Sequence, residues 1–295
     1  MSLRRSLPLL TICVTIGVAA GQLPVQAPTD GDSTRFAVIG DTGTGDKSQD
    51  EVAMALIKSR EAFPFTFVIM MGDNLYGSER PQDYANKFEK PYKALLDANV
   101  PFYASLGNHD DPNQRLYKPF NMNGERYYTF TKGPIRFFVL DSNYMDHPQL
   151  SWLENELQKS TDRWKIAYFH HPLYSSGGRH GSEIDLRQQL EPLFLKYGVD
   201  VVFAGHEHFY ERIKPQQGIH YFTCGGGAKL REGDVKRGPL TATAFDSDQS
   251  FMLVEVEDDT LRFQTISRLG KQVDEGSFVL GPEPKRAPAQ APSNQ

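Results

Sequence analysis

The sequence has only two cysteines in 295 residues, Cys13 and Cys224. Cys13 lies inside an apolar run near the start of the chain, so loss of that run would leave Cys224 without a partner. The chain also lacks an excess of basic residues, because 32 Lys and Arg stand against 37 Asp and Glu. The cysteine count excludes a disulfide scaffold. The charge balance argues against a nucleic-acid partner.

The chain has little that could span a membrane. The apolar run over residues 7–21 is too short to cross a bilayer comfortably, and two arginines precede it. With small residues near Ala20 and Ala27, this pattern is typical of a cleaved secretory signal, which we predict over residues 1–27. An uncleaved membrane anchor is the alternative. A cleaved signal predicts a secreted or periplasmic protein that does not contact the membrane after cleavage.

The other end of the chain is low in apolar residues. Residues 281–295 are rich in Pro, Ala and polar residues, which predicts a disordered tail. No internal repeat and no linker divides the remainder. We therefore predict one domain over residues 28–280.

Strand-like and helix-like segments alternate in the first two thirds of that domain, and strands alone follow. This order predicts an α/β (α+β) fold of packed β-sheets covered by helices. The predicted helices cover residues 47–60, 83–97, 148–160 and 183–198. The predicted strands cover residues 35–40, 65–72, 101–107, 164–170 and 199–205, a hairpin over 126–142 and further strands after residue 218.

Five of these strands end in polar residues, four of them through a glycine. In α/β sheets, functional sites form at the carboxyl ends of strands. If the five ends share an edge, their carboxylate, amide and imidazole groups converge. The residues concerned are Asp41, Asp73, Asn108, His109, His170, His171, His206, Glu207 and His208.

Such a set of side chains fits two metal ions. Imidazole suits Zn, Fe and Mn, and carboxylate or amide oxygens suit harder ions. Two neighbouring cations repel, so an anionic group must lie between them, and an Asp after a central strand can supply both of its oxygens. Each element alone has an ordinary explanation as a turn, a cap or a buried histidine. Five such segments in one chain favour a site.

These segments resemble the five motifs of the calcineurin-like metallophosphoesterases and, more narrowly, those of the purple acid phosphatases. The matching stretches are Asp41-Thr42-Gly43, Gly72-Asp73-Asn74-Leu75-Tyr76, Gly107-Asn108-His109-Asp110, His170-His171-Pro172 and Gly205-His206-Glu207-His208. The resemblance implies two packed mixed β-sheets flanked by helices. It also implies a small-molecule phosphate ester as substrate.

The resemblance further implies how two metals would be held. One metal would take Asp41, Asp73, Tyr76 and His208, with Tyr76 as a phenolate ligand to Fe(III). The other, a divalent Fe, Zn or Mn ion, would take Asp73, Asn108, His170 and His206. Asp73 would bridge the two, and a metal-bound hydroxide would attack phosphorus.

The same resemblance makes His109 the general acid and His180 a residue that helps hold the substrate. His171 could act on the orientation of a neighbouring ligand, and Asp110 could hydrogen-bond to His109 or close its turn. The expected activity is phosphate monoester hydrolysis. A phosphodiesterase or nucleotide hydrolase on the same metal core is the alternative, and a binding protein with a decayed site is a rival of a different class. The glycine-rich stretch 223–230 is interpreted as a close-packed loop.

Overall fold

The structure is a computed structural model that describes residues 25–29 and 31–281. Residues 1–24, which hold most of the predicted signal, and residues 282–295, which hold most of the predicted tail, lie outside the described residues. No helix in the described part is long and apolar enough to cross a membrane.

The described residues form two β-sheets. Their strands are β1 (Thr34–Ile39), β2 (Phe67–Met70), β3 (Phe102–Ala104), β4 (Tyr128–Lys132), β5 (Ile135–Val139), β6 (Trp164–Tyr168), β7 (Val201–Ala204), β8 (Tyr210–Ile213), β9 (His220–Cys224), β10 (Thr241–Phe245), β11 (Ser250–Glu257), β12 (Thr260–Ser267) and β13 (Gln272–Val279). The first sheet has the order β13-β12-β11-β1-β2-β3, and the second has the order β10-β8-β9-β7-β6-β5-β4.

Both sheets are mixed. In the first sheet, β1, β2 and β3 are parallel neighbours, and β11 pairs antiparallel with β1. In the second sheet, β5, β6, β7 and β9 are parallel, while β4 pairs antiparallel with β5 and β8 with β9. The predicted hairpin is confirmed, because β4 and β5 pair across a turn at Gly133 and Pro134.

Helices cover the outer faces of the sheets. They are α1 (Lys47–Ala62), α2 (Pro81–Tyr84), α3 (Lys93–Asp97), α4 (His147–Lys159) and α5 (Ile184–Tyr197). The Asp46 and Asp146 carboxylates cap α1 and α4 by accepting backbone N–H groups of the first turn. Gly198 ends α5 in a left-handed conformation. The predicted helices over 47–60, 148–160 and 183–198 are therefore confirmed to within two residues at each end.

One local prediction was wrong, and one strand was not predicted. The predicted helix over 83–97 is broken into α2, a π-helical turn (Ala85–Glu89) and α3. Pro91 lies in the break, where it has no N–H to donate and its ring obstructs the preceding turn. The strand β8 was not predicted at all. It is four residues long and is held by pairing with both β9 and β10, which sequence periodicity does not report.

The two sheets pack face to face through aromatic side chains. Phe36 of the first sheet meets Phe137 and Phe203 of the second edge-on, with ring centroids 5.5 and 6.2 Å apart. A second core lies outside the second sheet, where Leu153 of α4 and Leu190 of α5 are fully buried. The predicted fold class, two packed mixed sheets flanked by helices, is confirmed.

The packing of the sheets brings together the five strand ends identified in the sequence. Strands β1, β2 and β3 supply three of them from the first sheet, and β6 and β7 supply two from the second. The sequence predicted convergence on one edge. The structure shows instead two edges that meet, and a hydrogen bond of 2.8 Å from His170 to the Met71 carbonyl joins them.

Candidate metal centre

Three of the candidate ligands share an uncommon backbone conformation. Asp41, Asp73 and His206 have φ angles of 56°, 50° and 68°, in the left-handed region that side-chain-bearing residues rarely adopt. Such conformations cluster at functional sites, where surrounding contacts maintain them. Position 107 requires a glycine, because a Cβ there would lie only 2.2 Å from the Asp73 N and Oδ1 atoms.

Asp41, Tyr76 and His208 form the first group of side chains, called here the tyrosine cluster. The Tyr76 hydroxyl lies 3.0 Å from Asp41 Oδ1 and 3.3 Å from His208 Nε2. His208 Nε2 is itself 3.3 Å from Asp41 Oδ1. Two ligands at right angles, each about 2.1 Å from one ion, lie about 3.0 Å apart, so these spacings fit one metal.

Asn108, His170 and His206 form the second group, called here the asparagine cluster. Asn108 Oδ1 lies 3.0 Å from His170 Nε2 and 3.0 Å from His206 Nδ1. The two imidazole nitrogens are 3.1 Å apart. The three atoms again have the spacing expected of ligands to one ion.

Protonation in the asparagine cluster favours a cation. His170 Nδ1 faces the Met71 carbonyl, which only accepts, so Nδ1 carries the proton and Nε2 presents a lone pair. Burial lowers the pKa of His170 well below its usual value and keeps the ring neutral. Its Nε2 lone pair therefore points at the Asn108 carbonyl oxygen, and the two repel unless a positive charge lies between them.

Asp73 lies between the two clusters. Its Oδ1 is 3.4 Å from His170 Nε2 and accepts the backbone N–H of His109 at 3.0 Å. The carboxylate also groups with Asp41 and His208, since one ligand atom from each of the three lies within 4.8 Å of the others. An Asp in this position can face a metal on either side.

The pKa values of the cluster residues show that burial favours the neutral form of each side chain. Burial, and then repulsion by Asp73, raises the pKa of Asp41 well above its usual value. Burial lowers the pKa of His206 to about 2 and that of His208 to about 3. Without a cation, the site therefore resists ionised carboxylate at Asp41 and cationic imidazole at both histidines. Cations would favour ionised carboxylates and neutral imidazoles, which are the forms that bind metal.

The two predicted catalytic histidines lie on opposite sides of the centre. The exposed His109 ring is 5.0 Å from the Tyr76 ring, beside the tyrosine cluster. The exposed His180 ring is 4.3 Å from the His206 ring, beside the asparagine cluster. A ring nitrogen of His171 lies within 4.8 Å of ring nitrogens of His170 and His206, so it could join them in holding a metal. His171 Nδ1 also forms a hydrogen bond of 2.8 Å with the Ser142 hydroxyl.

Asp110 closes turns and does not hydrogen-bond to the His109 ring. Its carboxylate accepts the backbone N–H groups of Asn74, Leu75 and Gly107 at 2.8 to 3.1 Å. It thereby joins the loop that carries Asp73 to the loop that carries Asn108. The only sequence signal for this role is its place three residues after Gly107, where an Asp commonly closes a turn.

Glu207 has a role that its sequence motif did not disclose. The side chain is fully buried, and its Oε1 accepts the Gly181 N–H at 2.7 Å and faces the Ser175 hydroxyl at 3.4 Å. Arg231 Nη1 lies 3.6 Å from Oε2. Glu207 thus holds the loop that carries His180 against the segment that carries His206 and His208.

A cleft of about 400 Å³ adjoins the asparagine cluster. Its lining includes Asn108, Ser142, Asn143, Tyr144 and His171. Tyr144 is 60% exposed, so its aromatic ring is available to a molecule in the cleft. The cleft is large enough for part of a small organic molecule.

Comparison with known proteins places these residues in a wider group. Residues 34–210 match the family model described as calcineurin-like phosphoesterase. Purple acid phosphatase 3 of Arabidopsis thaliana is 29% identical over 273 residues, which cover 79% of this chain and 74% of that protein.

Two solved structures have a similar fold. The GAP50 protein, described as the anchor in the inner membrane complex of Plasmodium, aligns over 85% of this chain and 90% of its own, with a TM-score of 0.71 and 21% identity. The purple acid phosphatase PPD1 from yellow lupin (Lupinus luteus) aligns over 87% of this chain and 55% of its own, with a TM-score of 0.66 and 19% identity. One fold thus occurs in an anchor and in a phosphatase, so the side chains of the site must decide the function.

Proposed function

Because the chain belongs to the calcineurin-like phosphoesterase family, we propose that it is a dinuclear-metal phosphatase of the purple acid phosphatase type that hydrolyses phosphate monoesters. One observation carries this proposal: six of the seven predicted ligands form two triads with ligand atoms 3.0 to 3.3 Å apart, and the seventh, Asp73, lies between them. A binding protein with a decayed site would have no reason to keep both triads.

The proposal includes two unlike metals. Asp41, Tyr76 and His208, with one oxygen of Asp73, would hold Fe(III), because a trivalent cation prefers anionic oxygen. Asn108, His170 and His206, with the other oxygen of Asp73, would hold a divalent Fe, Zn or Mn ion. When bound, the two cations supply the positive charge that polarises a phosphoryl group.

The protein groups around the metals would act on the substrate. His109, exposed at the rim beside Tyr76, would hold the proton that the leaving oxygen takes as its bond to phosphorus breaks. His180 would hydrogen-bond to the phosphoryl group, in the orientation that Glu207 fixes through Gly181. Asp110 would keep the Asp73 and Asn108 loops in register.

Export of the protein is part of the proposal. Gln26 donates its backbone N–H to Gln264 and accepts the Gln264 side-chain amide, at 2.9 and 3.0 Å. Residues near 26 therefore stabilise the folded domain, which favours signal cleavage near Ala20 over cleavage near Ala27. Mass spectrometry of the exported chain tests this: a mature start after residue 27 would contradict it.

The cleft beside Asn108 favours phosphodiester hydrolysis as a second candidate function, because it could accept the second organic group of a diester. A comparison of substrates distinguishes the two. The full chain, loaded with iron and zinc, is assayed with nitrophenyl phosphate and with bis-nitrophenyl phosphate. Faster turnover of the monoester supports the proposal, and preference for the diester favours the alternative. Failure to hydrolyse either ester, with two metals bound, would refute both.

A further inference from the structure

The glycine-rich stretch after β9 lies directly against the candidate ligands. The N–H of Gly227 donates to the Gly40 carbonyl at 3.0 Å, and those of Ala228 and Lys229 donate to the Asp41 carbonyl at 3.1 and 3.2 Å. A Cβ on Gly225 would lie 2.8 Å from Asp41 Oδ2. The main chain of this loop is therefore fixed relative to the tyrosine cluster.

Lys229 extends from this loop over the Tyr76 ring. Its ammonium nitrogen is 4.6 Å from the ring centroid, which is within cation–π range. The side chain is half-buried, and within the described residues no carboxylate forms an ion pair with it. A positive charge next to a metal centre normally disfavours cation binding, so its presence here requires a reason other than affinity.

We propose that Lys229 tunes the electron donation of Tyr76 to the metal held by the tyrosine cluster. This inference rests on the proposed function, in which Tyr76 is a phenolate ligand to Fe(III). A cation above the ring lowers the energy of the ring's π electrons. Charge transfer from phenolate to iron then requires more energy, and the ferric form is less favoured over the ferrous form. Lys229 is a positioning and tuning residue that acts through Tyr76.

Three variants separate charge from shape. Lys229→Met removes the charge and keeps a long, apolar side chain. Lys229→Gln removes the charge and keeps a polar end group. Lys229→Arg keeps the charge. Lys236→Met is the matched control, because Lys236 lies in the same segment but is exposed, and its ammonium group donates to the Gly233 carbonyl at 2.8 Å. Each protein is used as the full chain loaded with iron and zinc.

Two measurements report on Tyr76 rather than on turnover. The first is the wavelength of the visible charge-transfer band per bound iron. The second is the ratio of ferric to ferrous protein at a fixed applied potential. Lys229→Met and Lys229→Gln should move the band to longer wavelength and increase the ferric-to-ferrous ratio roughly two- to thirty-fold, which is the range of one cation–π contact. Lys229→Arg and Lys236→Met should behave like the unchanged protein.

The remaining outcomes contradict the inference in different ways. An unchanged band in both neutral variants, with iron content preserved, would show that Lys229 does not act on Tyr76. If those variants instead weaken inhibition by inorganic phosphate and leave the band unmoved, Lys229 contacts the substrate directly. A colourless iron-loaded wild-type protein would overturn both this inference and the Fe(III) assignment. Phosphatase activity in that colourless protein would leave the family function intact.

Discussion

The tyrosine cluster and the asparagine cluster have the same size and opposite chemistry. The tyrosine cluster contains two oxygen groups that can be anionic, Asp41 and Tyr76, and one imidazole. The asparagine cluster contains only neutral donors, the Asn108 amide and the imidazoles of His170 and His206. If the proposed centre forms, equal spacing with unequal charge means that ligand charge, and not the size of the site, would select its two metals.

The residues around the two clusters also differ. Next to the tyrosine cluster lie Lys229 and His109, both of which contact the Tyr76 ring. Next to the asparagine cluster lie His171, His180 and the cleft of about 400 Å³. The comparison therefore predicts a redox-tuned, proton-donating side and a substrate-admitting side, joined by Asp73.

The largest effect should come from replacing Asp73, the residue that lies between the two clusters. We expect Asp73→Asn to reduce binding at both metal sites and to bring activity down to that of metal-free protein, since a neutral amide cannot screen two cations. Metal content per chain and hydrolysis of nitrophenyl phosphate measure this. Asp97→Asn, at an exposed residue of α3, is the control and should change neither. Two bound metals and normal turnover in Asp73→Asn would show that the Asp73 carboxylate does not bridge the metals.

His109→Ala should have the next largest effect, on one class of substrate. An alkyl alkoxide leaves poorly and needs a proton, whereas nitrophenolate hardly needs one. We expect alkyl phosphates to slow by about a hundredfold to ten-thousandfold and nitrophenyl phosphate far less. Metal content should not change, because His109 is not among the proposed ligands.

His180→Ala is the matched variant on the other side of the centre. It should raise KM for both ester classes with similar factors, because His180 would bind the phosphoryl group and not the leaving oxygen. The comparison fails if the two variants give the same pattern, whether an equal loss on both esters or an equal preference for nitrophenyl phosphate.

Tyr76→Phe should change colour more than rate. With iron and zinc bound, the variant should lose the visible band, because no phenolate remains to donate charge, while Asp41, His208 and Asp73 still hold a metal. His170→Ala is the reciprocal variant and should lose the divalent ion but keep the band. Absorption spectra and metal content check both. A band that survives in Tyr76→Phe would place the chromophore elsewhere.

Glu207→Gln should have the smallest effect. The amide oxygen can still accept the Gly181 N–H, so KM should change only a few-fold, whereas Glu207→Ala should lose about ten- to a hundredfold in kcat/KM through the displaced His180 loop. Kinetics of both variants at equal metal content provide the measurement. Equal kinetics in the two variants would mean that the Glu207–Gly181 contact does not position His180.

The sequence was informative where a short local pattern determines the position of a residue in the fold. A buried strand followed by a glycine and a polar residue marks the carboxyl end of a strand, and this pattern by itself predicts that Asp41, Asp73 and Asn108 lie close together. The clusters themselves could not be separated in this way. His206 and His208 are two residues apart, yet they point into different clusters, because His206 adopts a left-handed conformation.

The features that sequence reasoning missed depend on partners distant in the chain. Glu207 contacts Gly181, and β8 is stabilised by β9 and β10, so neither leaves a local pattern. Lys229 reaches Tyr76 only because the glycine-rich loop is bonded to Asp41. The broken helix near Pro91 is a different case, since the proline that interrupts it is visible in the sequence.

The location of iron in the protein tests the difference between the clusters most directly. Crystals of the full chain loaded with iron and zinc would be measured by anomalous X-ray diffraction at the absorption edges of both elements. We predict iron in the tyrosine cluster, zinc in the asparagine cluster and Asp73 in contact with both. Iron distributed equally over the two clusters, or a single metal remote from Asp73, would contradict it.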